Sequence, residues 1–362
     1  MNTYNLDTIM SGAAMEPVVL AARVGDAAKR IQGKVYRTPM LRSAFFSQKA
    51  GCDCYLKLES EQVTGSFKVR GATNKLLRLA EADATALFCG GIYSSSSGNH
   101  ALALTHALEA GRKSGQLPKD VQTKIYVPET VAPSKLAMLK LHGASIEIFG
   151  NDCEVSEGHA RSMATKTGGV YVPPYNDEDI IAGQGTVALE MLEQVPDLDA
   201  VFVAVGGGGL LSGIAGYVKH TNPNCLVIGC SPELSACMEL SVASGRLLQE
   251  GEFCNEDTLS DGTAGGIESG SITFPACSAL VDRWISVSEA EIATAVYDCL
   301  AHEHKVVEGA AGVALAGMLK AAPGMQGKEL GVVVCGNNIG AGVLAKILSA
   351  QHDSVEISYI NK

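Results

Sequence analysis

Apolar and polar residues alternate along the chain with two different periods, and these periods predict its helices and strands. Apolar positions spaced three and four residues apart predict an amphipathic helix over residues 16–33. Period-two runs and short apolar runs predict strands at residues 54–58, 86–90, 123–127, 144–149, 170–172, 200–205, 226–230, 284–287 and 331–334. Further helices are predicted at residues 72–82, 98–111, 134–142, 155–167, 179–195, 210–220, 289–305, 310–321 and 341–350.

The predicted strands and helices follow one another in turn, which is the order typical of an α/β protein. Such alternation predicts mostly parallel sheets that are covered by helices on both faces. One series ends at residue 172 and a second begins at Asp179, so two lobes are expected. In folds of this kind ligands bind at the carboxyl ends of the strands. The remaining segments are expected to be a leader at residues 1–15, an extended stretch at 35–41 and a Gly- and Asp-rich loop at 246–275.

The turn after the first predicted strand, residues 59–72, holds a lysine at the start of a helix. Lys68 stands beside Phe67 in this polar, glycine-containing turn, where neighbouring groups can shield its amine from water. Loss of hydration disfavours the ammonium form, and an amine of lowered pKa can form a Schiff base with a carbonyl group. Taken alone, a lysine in this position is more often simply solvated, so the other motifs decide between the two interpretations.

A second polar turn, residues 94–100, lies between a predicted strand and a predicted helix. Its serine hydroxyls, its backbone N–H groups and the positive end of the helix dipole converge there, which suits a carboxylate or a phosphate. Capping of the helix by a serine is the simpler alternative. A plain cap does not require Asn99 and His100, however, and both follow it directly.

Four consecutive glycines, residues 206–209, join the predicted strand 200–205 to a helix. Glycines let the backbone approach an anion closely and the helix N-terminus attracts its charge, so a phosphate-binding turn is predicted. A dinucleotide site is disfavoured because the spacing is not GxGxxG and no acid stands at the tip of the next strand, at Cys230. At the end of the last predicted strand Cys335 offers a thiol, although a buried cysteine is often only a small apolar residue.

Composition and charge narrow the class of protein further. The chain has 362 residues, 46% hydrophobic and 19% charged, which suits a globular protein with a large core. A net charge of −11 disfavours nucleic acid and acidic membranes as partners, so a small-molecule substrate is expected. The apolar stretch 200–218 is broken by the glycines and is not predicted to span a membrane. The 11 scattered cysteines and the lack of a secretory signal favour a cytoplasmic protein without disulfides.

The order of the motifs resembles that of one enzyme family. The motifs are Gln62-x-Thr-Gly-Ser-Phe-Lys-x-Arg-Gly-Ala72, Ser97-Gly-Asn-His100, the glycines 206–209, Glu308-Gly309 and Cys335-Gly-Asn. Together they resemble the serine/threonine dehydratase and serine racemase family of pyridoxal-phosphate enzymes, which have the two-lobed, tryptophan-synthase β-like fold known as fold type II. The resemblance covers residues 17–350 and implies a large cofactor-binding domain, residues 1–68 and 172–362, and a small domain, residues 69–171.

This resemblance implies a cofactor, pyridoxal 5′-phosphate, and a role for each matching residue. Lys68 is implied to hold the cofactor as a Schiff base and to carry the Cα proton. The cofactor-binding residues implied beside it are Phe67 against the ring, Asn99 at the 3′ oxygen, Gly206, Gly207, Gly208 and Gly209 around the phosphate, Cys335 at the ring nitrogen, and Glu308. The substrate carboxylate is implied to bind at Ser96, Ser97, Asn99 and His100.

The implied activity is that of an ammonia-lyase, or dehydratase. It converts a β-hydroxy amino acid, such as serine, threonine, 3-hydroxyaspartate or phenylserine, into a 2-oxo acid and ammonia. A neutral thiol at Cys335 does not keep the ring nitrogen protonated as a carboxylate would, which favours β-elimination. An amino-acid racemase is the main alternative, since Ser97 could serve as a second acid and base on the opposite face of Cα. A dinucleotide-binding oxidoreductase is a third, less favoured interpretation.

Two departures from the family pattern bear on the site. Family members that bind a divalent cation use acids in the loop after the strand 226–230, where this chain has residues 231–237 and keeps only Glu233, so no metal is expected. Leu102 stands where glutamine is common, so a more apolar pocket is expected. The resemblance further implies a homodimer.

Overall fold

The large sheet has six strands, and all but its first are parallel. In this computed structural model, which describes residues 15–82 and 89–360, the strand order is β1-β2-β10-β7-β8-β9, with β1 antiparallel to β2. Its strands are β1 (Met40–Arg42), β2 (Asp53–Leu58), β7 (Ala200–Ala204), β8 (Leu226–Pro232), β9 (Arg283–Val287) and β10 (Glu329–Val334). Both ends of the chain therefore contribute to this one sheet.

The small sheet has four parallel strands in the order β5-β4-β3-β6. They are β3 (Ile92–Ser95), β4 (Thr123–Val127), β5 (Ile146–Ile148) and β6 (Val170–Tyr171). All four lie between β2 and β7 in the sequence, so the small sheet is an insertion into the large one. The predicted α/β class, with two mostly parallel sheets, is confirmed. The exact domain boundaries, 1–68 and 172–362 against 69–171, stay a prediction.

Thirteen helices surround the two sheets in the part of the chain described. They are α1 (Pro17–Ile31), α2 (Ala44–Ala50), α3 (Lys68–Glu81), α4 (Asn99–Lys113), α5 (Pro133–Leu141), α6 (Cys153–Thr167), α7 (Glu178–Gln194), α8 (Gly209–Thr221), α9 (Cys237–Ser244), α10 (Thr273–Leu280), α11 (Glu289–Glu303), α12 (Gly309–Ala321) and α13 (Ala341–Ile360). None of them, within residues 15–82 and 89–360, has the length and apolarity that crossing a membrane requires.

The central strands of the large sheet are buried along their whole length. All five residues of β7 are buried, as are the last five of β10. Strands covered by helices on both faces read as continuous apolar runs rather than alternating ones, which explains the sequences Ala-Val-Phe-Val-Ala and Gly-Val-Val-Val. The helices that cover them, among them α7, α8 and α12, form one continuous core with the sheet. This core fixes the strand ends, and with them the turns that follow.

Several short elements differ from the sequence prediction. The helices α2, α9 and α10 were not predicted, and α10 begins at Thr273, inside the predicted loop 246–275. The predicted strand 86–90 lies mostly outside the described residues, residues 89 and 90 are not in a strand, and the strand of this region is β3 at Ile92–Ser95. The predicted leader, apart from Met15, also lies outside the described residues.

Candidate active site

Each of the predicted turns follows the carboxyl end of a parallel strand. The lysine turn follows β2, the Ser-Gly-Asn-His turn follows β3, the glycines follow β7, and Cys335 follows β10. Three of these strands, β2, β10 and β7, are neighbours in the large sheet, so their following turns lie side by side. The fold therefore brings the motifs of both lobes to one region, where α/β proteins bind ligands.

Lys68 is the first residue of α3 and is held by the turn before it. The N–H of Phe67 donates to the carbonyl of Cys335 at 3.1 Å, which ties this turn to the end of β10. Gly65 takes a left-handed conformation with φ of +70°, and a Cβ there would lie 2.4 Å from Oδ1 of Asn337. Only glycine fits such a position. The Lys68 amine then donates to the carbonyl of Pro174 at 2.8 Å and lies 5.3 Å from the centre of the Phe67 ring.

The environment of the Lys68 amine favours its neutral form. Burial lowers its pKa to about 8, while the neighbouring Cys335 and Glu308 oppose the shift in part. Loss of hydration penalises the ammonium more than the amine, which is the expected direction for a buried lysine. About a tenth of the side chains are then neutral at pH 7, against fewer than about one in a thousand for an exposed lysine. Lys68 itself is half-buried, and the direction of its pKa shift agrees with the desolvated lysine that the sequence predicts.

The rate at which pyridoxal phosphate attaches to the cofactor-free protein should follow this pKa. The neutral amine is the nucleophile. We expect the rate constant to rise with pH and to level off above about 8. It is measured by the absorbance of the bound cofactor after mixing, with Nα-acetyl-lysine as the solvated control, whose rate continues to rise toward pH 10. A rate constant of attachment to the protein that keeps rising with pH as the control does would contradict a desolvated Lys68.

Asn99, Glu308 and Cys335 form a polar network that connects the two lobes; Glu308 and Cys335 are buried and Asn99 is half-buried. The side-chain amide of Asn99, at the start of α4, donates to both carboxylate oxygens of Glu308 at 3.0 Å. Its oxygen accepts a hydrogen bond from Nδ2 of Asn338 at 2.6 Å. The Cys335 thiol donates to Glu308 at a sulfur–oxygen distance of 3.7 Å. Gly336 allows this contact, since a Cβ there would lie 2.5 Å from Oε1 of Glu308.

Burial decides the protonation state of the groups in this network. It raises the pKa of the Glu308 carboxyl, and hydrogen bonds from Asn99 and Cys335 offset only part of the effect. The pKa of the Cys335 thiol is raised well above its ordinary value, first by burial and then by the charge of Glu308. Cys335 therefore stays a neutral thiol at physiological pH, as the sequence interpretation of β-elimination requires.

His100 is 2% exposed and stays neutral. Burial and the nearby charge of Lys68 lower its pKa to about 3. Its Nε2 lies 3.1 Å from the carbonyl of Val172, which can only accept, so Nε2 carries the proton. The other predicted substrate-binding residues, Ser96 and Ser97, are half-buried in the turn before α4, and the Ser96 hydroxyl accepts from the N–H of Gly98 at 3.2 Å.

The glycines 206–209 form a turn whose packing leaves no room for side chains. A Cβ on Gly206 would lie 2.9 Å from the backbone of Thr263, and one on Gly207 would lie 2.5 Å from the Tyr175 ring. Gly208 has φ of +83°, a left-handed conformation that favours glycine. Gly209 starts α8, so the backbone N–H groups of the turn stand at the positive end of a 13-residue helix. A phosphate dianion suits this turn.

The segment 172–177 links these parts of the site, and its residues were not predicted to belong to it. The carbonyl of Val172 accepts from His100, and that of Pro174 accepts from Lys68. The Tyr175 side chain lies against Gly207, and its backbone would contact a Cβ on Gly209 at 3.1 Å. The only local signal was the pair of prolines, which fixes an extended backbone and removes two N–H groups that would otherwise need partners.

A cavity of about 440 Å³ lies beside the lysine turn. Thr64, Gly65 and Asn338 line it, together with Leu102 and His106 of α4. Leu102 thus lies at a cavity that adjoins the site, although most of the residues that line this cavity are polar. The more apolar substrate pocket stays a prediction. Within residues 15–82 and 89–360, no group of three or more His, Cys, Asp or Glu side chains has an arrangement that could hold a metal ion.

The residues present fit pyridoxal phosphate. Three buried polar atoms at the site have no partner within the protein: Oγ1 of Thr64, Oγ of Ser66 and Nδ1 of His100. Buried polar atoms are nearly always hydrogen-bonded, so partners from a bound molecule are expected. The glycine turn suits its phosphate, the lowered pKa of Lys68 suits attachment to its aldehyde, and Phe67 offers an apolar face to its ring.

Comparison with known proteins agrees with this fit. The family model described as pyridoxal-phosphate dependent enzyme matches residues 31–336. The chain is 35% identical over 327 residues to an L-threonine ammonia-lyase of Thermotoga maritima, covering 90% of this chain and 77% of the relative. It is 34% identical to an L-threo-3-hydroxyaspartate ammonia-lyase of Saccharomyces cerevisiae, covering 92% and 97% of the two chains.

A solved structure shows the same fold. Maize serine racemase superposes with a TM-score of 0.80 at 28% identity, covering 93% of this chain and 98% of the other. The predicted fold type and cofactor are thereby confirmed, and so is the resemblance on which they depended. Because the family model covers most of the chain and the sequence relatives span nearly all of it, this protein belongs to the family of pyridoxal-phosphate-dependent enzymes.

Proposed function

We propose that this protein is an ammonia-lyase that uses pyridoxal phosphate to convert a β-hydroxy amino acid into a 2-oxo acid and ammonia. One observation carries the proposal: Lys68, His100 and Gly207, which belong to three different turns, all contact the segment 172–175. Asn99, next to His100, also binds Glu308. The names of the relatives support the same reaction class, since two of them are ammonia-lyases of β-hydroxy amino acids.

The residues proposed to hold the cofactor come from both lobes. Lys68 attaches it covalently, and the glycines 206–209 bind its phosphate through their backbone N–H groups and the dipole of α8. Phe67 packs against the ring, Asn99 binds the ring hydroxyl, and Cys335, kept neutral by its buried position, contacts the ring nitrogen. When bound, pyridoxal phosphate supplies an electron sink for chemistry at Cα of the amino acid.

The turn before α4 is proposed to bind the substrate carboxylate. Backbone N–H groups at the N-terminus of this 15-residue helix carry partial positive charge, and the hydroxyls of Ser96 and Ser97 add donors. His100 remains neutral and donates to Val172, so it orients the turn without adding a charge of its own. The carboxylate thus fixes the amino acid with its Cα near Lys68.

Lys68 is proposed to be the base that removes the Cα proton. Its pKa of about 8 lies close to neutral pH, where a group can both accept and return a proton efficiently. The β-hydroxyl then leaves as water and the remaining enamine hydrolyses to the 2-oxo acid and ammonia, so water is lost once and consumed once. We also propose that the enzyme is a cytoplasmic homodimer, which the family resemblance and the scattered free cysteines support.

Racemisation is a second candidate activity. It requires a second acid and base on the face of Cα opposite Lys68, and Ser97 is the residue we propose for it. The fold similarity to maize serine racemase favours keeping this candidate. The same assay decides between the two activities when the configuration of the unreacted substrate is followed together with the 2-oxo acid.

The function is tested by a substrate screen of the purified, cofactor-loaded enzyme. Both configurations of serine, threonine, 3-hydroxyaspartate and phenylserine are supplied, and 2-oxo acid, ammonia and the enantiomeric ratio are measured. We expect 2-oxo acid and ammonia in equal amounts from at least one of them, faster than any loss of configuration. Faster inversion than ammonia release would favour the racemase, and absence of both from every substrate would contradict the proposed function.

A further inference from the structure

Four charged side chains form a cluster in the interior behind the lysine turn. Its members are Lys57, Glu59, Arg70 and Glu190, of which the first three are 0% exposed and the last is 8% exposed. Buried charges are costly unless each is paired and hydrogen-bonded. Two positive and two negative charges cancel here, and we call this group the neutral cluster. Nothing in the proposed reaction requires charges at this place.

Arg70 binds both acids of the neutral cluster in a fork. Its Nε and Nη2 donate to the two oxygens of Glu59, each at 2.7 Å. Its Nη1 and Nη2 donate to the two oxygens of Glu190 at 2.7 and 2.9 Å. A guanidinium can bind two carboxylates in this planar way, and a lysine ammonium cannot. The orientation of the Arg70 guanidinium group is therefore fixed, as well as its position.

Lys57 completes the neutral cluster from β2. Its three N–H groups donate to the carbonyl of Thr38 at 2.8 Å, to Glu190 at 2.6 Å and to Oε1 of Gln194 at 3.0 Å. Every donor of this ammonium is thus used. The Glu59 carboxylate accepts a further hydrogen bond from the Thr38 hydroxyl at 2.5 Å. A fully bonded network of this kind holds its members in one arrangement.

The neutral cluster connects the helix of Lys68 to the large sheet. Arg70 is the third residue of α3 and Lys68 is the first, whereas Glu59 directly follows β2 and Glu190 lies on α7. The pair of Glu59 and Arg70 therefore closes the segment 59–70, which contains Lys68 and the residues of the lysine turn that precede it. Glu190 joins that closed segment to α7.

The two neighbours of Arg70 in α3 contact different lobes. Gly71 donates its N–H to Oε1 of Gln184 on α7 at 3.2 Å, and a Cβ on Gly71 would lie 2.9 Å from the carbonyl of Ile180. Val69, by contrast, packs into the core that covers the small sheet. The first turn of α3 thus belongs to both lobes. Without the neutral cluster, a shift of the small lobe would carry Lys68 with it.

We propose that Arg70 is a positioning residue for Lys68, held in place by Glu59 and Glu190. By tying the first turn of α3 to β2 and α7, it keeps the lysine amine at one place relative to the glycine turn. This inference depends on the proposed role of Lys68 and not on which amino acid the enzyme uses. Small displacements of a reacting group can cost about 100-fold in rate, so an effect of this order is expected.

The test compares two cluster variants with a control at a partly buried ion pair elsewhere in the protein. Arg70→Lys keeps the charge and removes the fork. Arg70→Met/Glu190→Gln removes both ties and leaves Lys57 and Glu59 as a neutral pair, which protects folding. The control is Asp298→Asn: Asp298 of α11 is 6% exposed, its partner Lys49 lies 2.6 Å away on α2, and neither residue belongs to the neutral cluster.

Three quantities are measured for each variant: the rate at which pyridoxal phosphate attaches to the cofactor-free protein, kcat with KM for 2-oxo acid release, and the thermal unfolding temperature. We expect both Arg70 variants to attach the cofactor about 10- to 100-fold more slowly and to lose kcat by a similar factor, with KM within about threefold. Asp298→Asn should lower only the unfolding temperature.

Cofactor attachment needs no substrate, so this readout separates the positioning role from the proposed reaction. If the Arg70 variants attach the cofactor more slowly, but neither they nor the unmodified enzyme turn over any substrate, the proposed reaction is wrong and the positioning role stands. If the Arg70 variants lose only thermal stability, or if Asp298→Asn slows attachment equally, the neutral cluster is purely structural and the inference is overturned.

Discussion

Replacing Lys68 with alanine is expected to lower kcat for 2-oxo acid release by about 1,000-fold or more. A positioned general base contributes about 100- to 10,000-fold, and Lys68 has a second task as the covalent attachment point of the cofactor. Its pKa of about 8 and its half-buried position beside Phe67 are the physical basis for both tasks. The rate is measured with saturating pyridoxal phosphate, so that weaker cofactor retention does not account for the loss.

Arg78→Ala is the matched control for this variant. Arg78 lies on the same helix, is exposed, and has no part in the site. We expect it to keep the parent kcat and to bind the cofactor normally. Borohydride treatment of the parent followed by peptide mass mapping should place the trapped cofactor on Lys68. A trapped cofactor on any other lysine, or a Lys68→Ala enzyme with more than about a tenth of the parent rate, would refute the assignment.

The parts of the fold that the sequence predicts well are those governed by local patterns. The continuous apolar run of β7 and the strand-to-helix order around it lead directly to a parallel sheet, and the sheet places the following turns at one edge. For this reason the glycines 206–209 and Lys68 lie where their motifs suggested. Their roles as cofactor ligands stay a prediction that the proposed experiments test.

Short helices were not predicted because their apolar patterns are weak, or because the residues that define them flank the helix rather than lie within it. The helix α2 is only seven residues long, and it is defined by its ends: the Ser43 hydroxyl accepts from the N–H of Phe46, and Gly51 takes a left-handed conformation after the last turn. These caps are readable in the sequence. The helix α9 lacks an amphipathic pattern, and its position depends on contacts with α10.

Contacts between distant parts of the chain could not be predicted from one sequence. Arg70 and Glu190 are 120 residues apart, and each alone reads as an ordinary surface residue of an amphipathic helix. Tyr175 reads as a loop residue, yet its ring closes over Gly207. The strand β3 was not predicted because its sequence Ile-Tyr-Ser-Ser is half polar. Its two serine hydroxyls donate to the distant carbonyls of Val172 and Tyr126, which the sequence does not reveal.

Substituting alanine for Gly207 is expected to weaken the binding of pyridoxal phosphate by about 10- to 100-fold. The added Cβ would lie 2.5 Å from the Tyr175 ring, so the ring or the turn has to move. Overpacking of this kind costs about 1–3 kcal/mol, and about 1.4 kcal/mol corresponds to tenfold in affinity. The affinity is measured by titrating cofactor-free protein and following the absorbance of the bound form.

Gly25→Ala is the control for the substitution itself. No heavy atom lies within 4 Å of the Cβ that it adds on α1, so the change leaves the site unaltered. We expect unchanged cofactor affinity and a stability gain of up to about 1 kcal/mol, since alanine is the better helix former. A loss of cofactor affinity in this variant would mean that binding responds to remote changes and that the Gly207 result does not report on the turn.

Pyridoxal, which lacks the phosphate, distinguishes the role of the glycine turn from a general disturbance of the site. If the backbone N–H groups of residues 206–209 bind the phosphate, Gly207→Ala should weaken the binding of pyridoxal phosphate far more than the binding of pyridoxal. Only pyridoxal phosphate has a group that occupies the turn. The unmodified protein should accordingly prefer pyridoxal phosphate over pyridoxal by a larger factor than the variant does. An equal loss for both ligands would show that the turn shapes the ring pocket through Tyr175 and that the phosphate binds elsewhere.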